Sequence, residues 1–417
     1  MYNEAQELNI CDLNEHVLEH IFHYLPLRDL DRAVQVCKKF YTTINSYIFA
    51  RQSATLLLTG HQQNSQINRS VSRSDRNLND FSYRKRIHLF DNWRYGRYCE
   101  SHMFNHRMIY FSHIVLEKRW LYMTHRGQLR AHERVKKDYM LKNRASWTIG
   151  KEKDPDISWI AKKRQILFGG RTDGTCFVQD HSHHCYSRQR LEDDVITSVD
   201  FEGDVYICST KSKCTSFWRG SINYGDCELE LMRRLDEPYQ TIKLSPDDGS
   251  KLAVGKYHDR SNGALRIIDV ERGTTSRLES PTKAVYQLLW RDYNTILTGN
   301  FDTTMRMVDI RTSSDAAVWT DPYDASVYCL DYDGAYAVLC GMKYHFRVNL
   351  YDLRVPKRCI QMYFPSNKFS QYSPVHSVAA DSSQLFIITD NNLRILNFDV
   401  HGKETKDYTW DLNKWLY

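Results

Sequence analysis

Residues 284–311 read AVYQLLWRDYNTILTGNFDTTMRMVDIR. VYQLLW is an apolar run of strand length, TILTGN is a second, and RDYN between them is a polar turn. FDTT is another turn, and MRMVDIR alternates apolar and polar residues up to an aspartate. Three short strands joined by tight turns describe one antiparallel unit. The unit recurs. Residues 326–354 hold VYCLDY, AVLCGM and FRVNLYDLR, and residues 239–270 hold YQTIKLSPDDGSKLAVGKYHD and LRIIDV. Residues 195–219, 157–180 and 375–399 carry ITSVDF/VYICST/SFWRG, ISWI/ILFGGRTDG/CFVQD and VHSVAA/LFIITDNN/LRILNFD. A weaker first unit lies within residues 108–135. The period of about 40 to 50 residues means propeller blades or a solenoid. About seven units fall inside the usual propeller range.

The N-terminal stretch reads differently. Val17, Leu18, Ile21, Phe22 and Leu25 recur at the spacing of one helix face. Asp12 or Asn14 is placed to cap the helix, and Pro26 ends it. A second helix is expected to begin near Asp29 and to turn Leu30, Ala33 and Val34 inward. A third runs from about Cys37 through Phe40, Tyr41, Ile44 and Ile48. Some 40 residues with so many apolar positions rarely fold stably alone, so part of the stripe is expected to bury against a partner or the chain's own C-terminal domain.

Residues 13–44, LNEHVLEHIFHYLPLRDLDRAVQVCKKFYTTI, resemble an F-box. The family opens Leu-Pro, continues with a Val-Leu…Ile-Phe…Tyr-Leu stripe and Asp-Leu, and closes on Val-Cys-Lys and an aromatic. Here Asn14 stands in place of the opening proline. The repeating part resembles WD-repeat propellers in which the Trp-Asp pair has become Val-Asp, Tyr-Asp, Ile-Asp or Phe-Asp. NWRYGR, SVYCLDYDG and PVHSVAADSSQLFIITDNNLRILNFD are similar to stretches of dactylin-like F-box/WD-repeat proteins. The expected architecture is a short N-terminal α-helical F-box at residues 8–50, a basic linker at 51–107 with a flexible segment at 61–80, and an all-β WD-repeat propeller at 108–417.

The resemblance implies a non-catalytic subunit of a Skp–cullin–F-box ubiquitin ligase. The F-box would hold a Skp-type adaptor and, through it, a cullin and a RING protein, and the propeller would hold a protein substrate. Carried over by motif, the adaptor-binding residues are Leu13, Val17, Leu18, Ile21, Phe22, Leu25, Pro26, Leu30, Val34, Val36, Cys37 and Phe40. The substrate-binding residues are Gln240, Tyr286, Phe301, Tyr328 and His376, on the propeller face that carries the inner-strand starts and the following turns. Thr197, Thr172 and His258 hold equivalent positions. The set is aromatic and neutral, without the arginines that pair with phosphate, so recognition is expected not to need a phosphate. Lys211, Lys213 and Arg171 are the nearby cations that oppose this reading. Two triplet ends, 308–311 (VDIR) and 351–354 (YDLR), resemble a box used by receptors for another cullin adaptor.

Composition narrows the alternatives. The 11 cysteines are scattered, no leader or membrane-spanning run is read, and reduced thiols in the cytoplasm or nucleus are expected. Residues 51–170 hold 24 Lys/Arg against 10 Asp/Glu, a basic surface or a patch for an acidic partner. No zinc-finger spacing, RNP motif or basic heptad supports nucleic acid. No nucleophile elbow, P-loop or HExxH is present, and no cofactor is implied. Cys176, His181, His183, His184 and Cys185 cluster without a zinc spacing, in what reads as a loop between blades.

Overall fold

A computed structural model describes residues 9–60, 81–103, 112–135, 141–182, 185–223, 225–246, 248–364, 373–390 and 392–401. The segment 61–80, read as flexible, lies outside the described residues, as do His183 and His184.

Seven four-stranded antiparallel sheets follow one another. Blades 1 to 6 take their four strands in chain order, with innermost strands Ile114–Leu116, Ile157–Lys163, Ile196–Glu202, Thr241–Leu244, Val285–Asp292 and Val327–Tyr332. Blade 7 joins Val375–Ala380, Gln384–Thr389 and Leu393–Asn397 to an outer strand from the other end of the chain, Cys99–Met103. Cys99 pairs with Asn397 and Met103 with Leu393, so a segment placed by sequence in the linker closes the ring. The propeller therefore begins at Cys99 rather than at 108.

Polar residues of one inner strand tie it to the next. Leu244 N–H donates to the buried Asp200 at 2.8 Å, Ala380 N–H to Asp331 at 2.8 Å, and Leu330 N–H to Gln287 at 2.7 Å. In four blades a glycine at or near the end of the second strand has a packing reason. A Cβ on Gly299 would lie 2.8 Å from Val327 of the next blade, and one on Gly341 2.6 Å from Val375.

The N-terminal module holds α1 (Glu15–His23), α2 (Leu27–Ala33), α3 (Lys38–Thr43), a π-helical turn Ile44–Phe49 and α4 (Ala50–Ala54). Asn14, the departure from the F-box pattern, caps α1 by accepting from His16 N–H at 3.0 Å. The second helix starts at Leu27, not near Asp29, with Pro26 as its extended N-cap residue. Leu18, Phe22, Leu30, Phe40, Ile44, Ile48 and Phe49 form the module's own core.

α5 (Tyr83–Arg94) rivets the two parts together. Its start meets the helical module, where Ile87 joins that core and Arg84 pairs with Asp31 at 2.6 Å. Its end enters the propeller. Trp93 is fully buried, stacks on Phe398 at 3.6 Å and donates to the Ser382 carbonyl at 2.9 Å. Leu57 and Leu58 join the same apolar cluster, and Leu58 N–H donates to Asp333 at 3.2 Å.

Candidate functional site

The chain's direction through each blade decides which face is which. Inner strands start at one face, shared with the turns between second and third strands. The turns between first and second strands, and between third and fourth, lie on the opposite face. Asp333 and Ser382 sit in first-to-second turns and Arg354 in a third-to-fourth turn. Arg354 donates to the Thr55 carbonyl at 3.0 Å and Ser382 to the Leu58 carbonyl at 3.0 Å. The helical module is thus anchored beneath blades 6 and 7. The face with the inner-strand starts points away from it.

On that far face, one backbone device recurs. The pairing register slips between Val285 and Gln287, between Val327 and Cys329, and between Val375 and Ser377. The residue skipped is Tyr286, Tyr328 or His376. Blade 3 skips Thr197 in the same way. A bulge re-aims the extra side chain out of the alternating pattern, here at the rim of the central channel. Tyr286 and Tyr328 meet with ring centroids 4.7 Å apart, Phe301 lies 6.4 Å from Tyr286, and Tyr257 6.0 Å. Burial pushes the Tyr286 phenol pKa well up, with Tyr328 and Tyr257 adding to it, so that phenol is neutral across the physiological range. Phe301 and Tyr257 are exposed at its edge.

The structure does not gather every residue expected there. His376 hydrogen-bonds Asp390 at 2.6 Å and lies near enough to the half-buried His113 of blade 1 to act on its charge. Gln240 precedes blade 4's inner strand and has no ring contact with the set. Thr197 is held by the carbonyls of Ser209 and Tyr239. Two side chains were missed, Lys343 and Tyr344. They occupy blade 6's equivalent of the FDTT turn, which there lacks its aspartate. Lys343 Nζ sits 5.2 Å from the Tyr344 ring centroid. A hydrogen bond to Tyr344 and the neighbouring phenols Tyr328 and Tyr257 hold its ammonium pKa above the usual lysine value. The patch is therefore aromatic with one cation, not wholly neutral.

Of the three cations that threatened the phosphate-free reading, Arg171 is structural. It is fully buried, donates to the carbonyls of Gly127 and Pro155, and covers the Phe177 ring. Lys213 donates to the Asp193 carbonyl at 3.3 Å beside a cleft of about 420 Å³ at blade 3. Of the acids lining that cleft, Glu192 is occupied by Arg234, Ser216 and Cys214.

The adaptor list divides. Leu18, Phe22, Leu30 and Phe40 are inside the module's own core, Phe22 edge-on to Phe40 at 4.9 Å, so they shape the surface without forming it. Leu13, Leu25, Val34 and Cys37 are half-buried beside that core. Val17, Ile21 and Val36 remain 45, 37 and 66% exposed, with Pro26 and Tyr24 also open to solvent. Adjacent positions such as Val17 and Leu18 point apart by the helical rotation, so a stripe apolar at both serves two faces.

The described members of the remaining clusters are structural. Cys176 and Cys185 are buried in strands of blade 2, and the hairpin between Thr175–Asp180 and Cys185–Arg190 lies within that blade, not between blades. Among the described residues no group of three or more metal-ligating side chains is gathered. Arg311 folds back bidentately on Asp309, and Arg354, besides pairing with Asp352, anchors the helical module. Much of the basic excess is spent internally: Arg134 pairs with Asp381, Lys162 with Glu117 and Lys163 with Glu202.

Comparison with known proteins agrees with this layout. The F-box domain matches residues 10–52. Human and mouse "F-box/WD repeat-containing protein 4" are each 24% identical over 394 residues, 93% of this chain and 92% of theirs. Among solved structures, the computationally designed Ika8 protein covers 71% of this chain and 98% of its own with a TM-score of 0.53 at 12% identity, a likeness of fold alone.

Proposed function

For a chain with the F-box/WD-repeat organisation, its F-box riveted to one propeller face and an aromatic rim on the other, we propose the role of substrate receptor in a Skp–cullin–F-box ubiquitin ligase. One observation carries the reading. The F-box completes its own core and still leaves Val17, Ile21 and Val36 in water, with Tyr24 and Pro26 beside them. Exposed apolar patches on a packed module mark protein contacts. A Skp-type adaptor is the partner proposed for that face, and a cullin and RING protein would follow through it. The chain itself supplies binding, and the isopeptide chemistry belongs to the enzymes the cullin recruits.

Substrate is assigned to the far face, at Tyr257, Tyr286, Phe301, Tyr328 and Tyr344. Tyrosine and phenylalanine bury large area at low entropy cost and dominate binding hot spots. Lys343 adds one ammonium, a match for a single carboxylate. A dianionic phosphate there would find no guanidinium fork. The segment recognised is thus apolar or aromatic with an acidic side chain and carries no required phosphate. Cytoplasm or nucleus is the proposed location, supported by eleven cysteines in thiol form, seven of them packed as buried apolar groups.

The experiment is reconstitution. The full chain, a purified Skp-type adaptor, cullin, RING protein and charged conjugating enzyme are mixed with a protein captured by the propeller. Ubiquitin transfer that needs both the chain and the adaptor supports the role. Transfer that proceeds equally without the chain rejects it.

A further inference from the structure

The cysteines Cys11 and Cys37 are 26 residues apart in sequence and belong to different elements, yet their Sγ atoms lie 3.9 Å from each other. Cys11 sits in the 3₁₀ turn Ile10–Asp12, whose Cys11 carbonyl accepts from Lys39 at 2.9 Å. Cys37 immediately precedes α3, and its Sγ accepts from Phe40 N–H at 3.5 Å. Both thiols are half-buried and reachable by solvent. The neighbouring thiols Cys176 and Cys208 offer a contrast within the same molecule: both are sealed in the core of blades 2 and 3, where burial raises the Cys176 thiol.

We propose that Cys11 and Cys37 are a modification site, a dithiol that a peroxide converts reversibly to a disulfide. The Phe40 N–H holds the Cys37 thiol below its ordinary range, while the contact with Cys37 raises Cys11. Cys37 is thus the attacking group. Its thiolate attacks one peroxide oxygen, the O–O bond breaks, and a sulfenic acid and hydroxide result. Cys11, losing its proton, attacks the sulfenic sulfur, the S–O bond breaks and water leaves. One peroxide and two thiols give one disulfide and two waters, and a small dithiol returns the pair to thiols.

The bond has a structural consequence. A disulfide needs sulfurs about 2.05 Å apart, so closing the 3.9 Å gap turns the Cys37 side chain toward Cys11 and loads the backbone on either side of it. Val36, the most exposed apolar residue of those assigned to the adaptor, is the next residue along. Oxidation therefore weakens adaptor capture, a consequence that rests on the proposed function.

The test treats the full chain with hydrogen peroxide and maps its peptides without reduction, then titrates a purified Skp-type adaptor. The expected result is a Cys11–Cys37 peptide at a dose that leaves Cys176 and Cys208 as thiols, reversal by dithiothreitol, and adaptor affinity lower by about fivefold or more. Cys11→Ser should bind the adaptor normally and form no disulfide with peroxide, its Cys37 stopping at the sulfenic acid. Failure to form the Cys11–Cys37 peptide overturns the proposal, and so does its formation with adaptor affinity unchanged. Reduced chain that never binds the adaptor would defeat the ligase reading instead, and the peptide map would still decide whether the thiols form the site.

Discussion

Removing Trp93 should loosen the joint between F-box and propeller. The indole is fully buried, stacked on Phe398 at 3.6 Å, edge-on to Tyr363 at 5.6 Å, and bonded through Nε1 to the Ser382 carbonyl. Truncating a buried tryptophan to alanine costs about 3–5 kcal/mol in transfer and cavity terms. The Ser382 carbonyl loses a partner worth about 1 kcal/mol. For Trp93→Ala we therefore expect a loss of about 4–6 kcal/mol. For a domain of this size that lowers the melting temperature by on the order of 10 °C. Differential scanning calorimetry of the full chain reads this directly. Tyr363→Phe is the graded companion. It removes only the hydroxyl that donates to the Trp93 carbonyl at 2.7 Å, and should cost about 1 kcal/mol. Adaptor affinity should hardly change in either variant, because Trp93 is outside the F-box core. A Trp93→Ala protein melting within about 2 °C of the parent would refute the reasoning, since an effect that small marks a surface residue.

Three further outcomes follow from the same geometry. Phe22→Ala should lose adaptor binding by unfolding the helical module, seen as a lost helical signal in circular dichroism with the propeller intact, since its ring packs on Phe40 in a closed core. Tyr286→Ala and Tyr328→Ala should each weaken a captured substrate by about 2 kcal/mol while phosphatase treatment leaves it bound; the reverse pattern would favour the lysines near position 211. Stability should fall with acid between pH about 6.5 and about 3. Burial, then the nearby His376, depresses His113 to about 3, so the unfolded chain takes up a proton that the native chain refuses. The slope from this group is about 1.4 kcal/mol per pH unit. It is absent above the unfolded value, and denaturant titrations of His113→Gln should be flatter over that window.

The inner three strands of six blades were legible because they are apolar on a strand period, and they include 285–290 and 337–342 as read; the first blade was legible only as a weak unit. The outermost strands were not. Thr275–Arg277 is exposed at every residue, and Cys99–Met103 buries only Met103, so neither carries an apolar pattern to read. Ring closure by that last strand rests on backbone pairing, the single buried Met103 and a Glu100–Arg394 ion pair, and it leaves no periodic mark in the sequence. The F-box helices were legible, but not which side chains close the core: Val17 and Leu18 are equally apolar, and only packing separates them. Tyr286 and Tyr328 were found from their place in the repeat. Lys343 was not, because the turn that holds it has lost the aspartate that marks its equivalents.

The most direct test of the account is titration of the full chain with a purified Skp-type adaptor, run beside Val17→Asp, Ile21→Asp and Val36→Asp. These side chains are exposed, so the variants should melt like the parent. The account predicts specific binding by the parent and at least about a thirtyfold loss in each variant, on the order of 2 kcal/mol for a charge driven into an apolar contact. Undiminished binding by all three variants, or no binding by the folded parent, would contradict it.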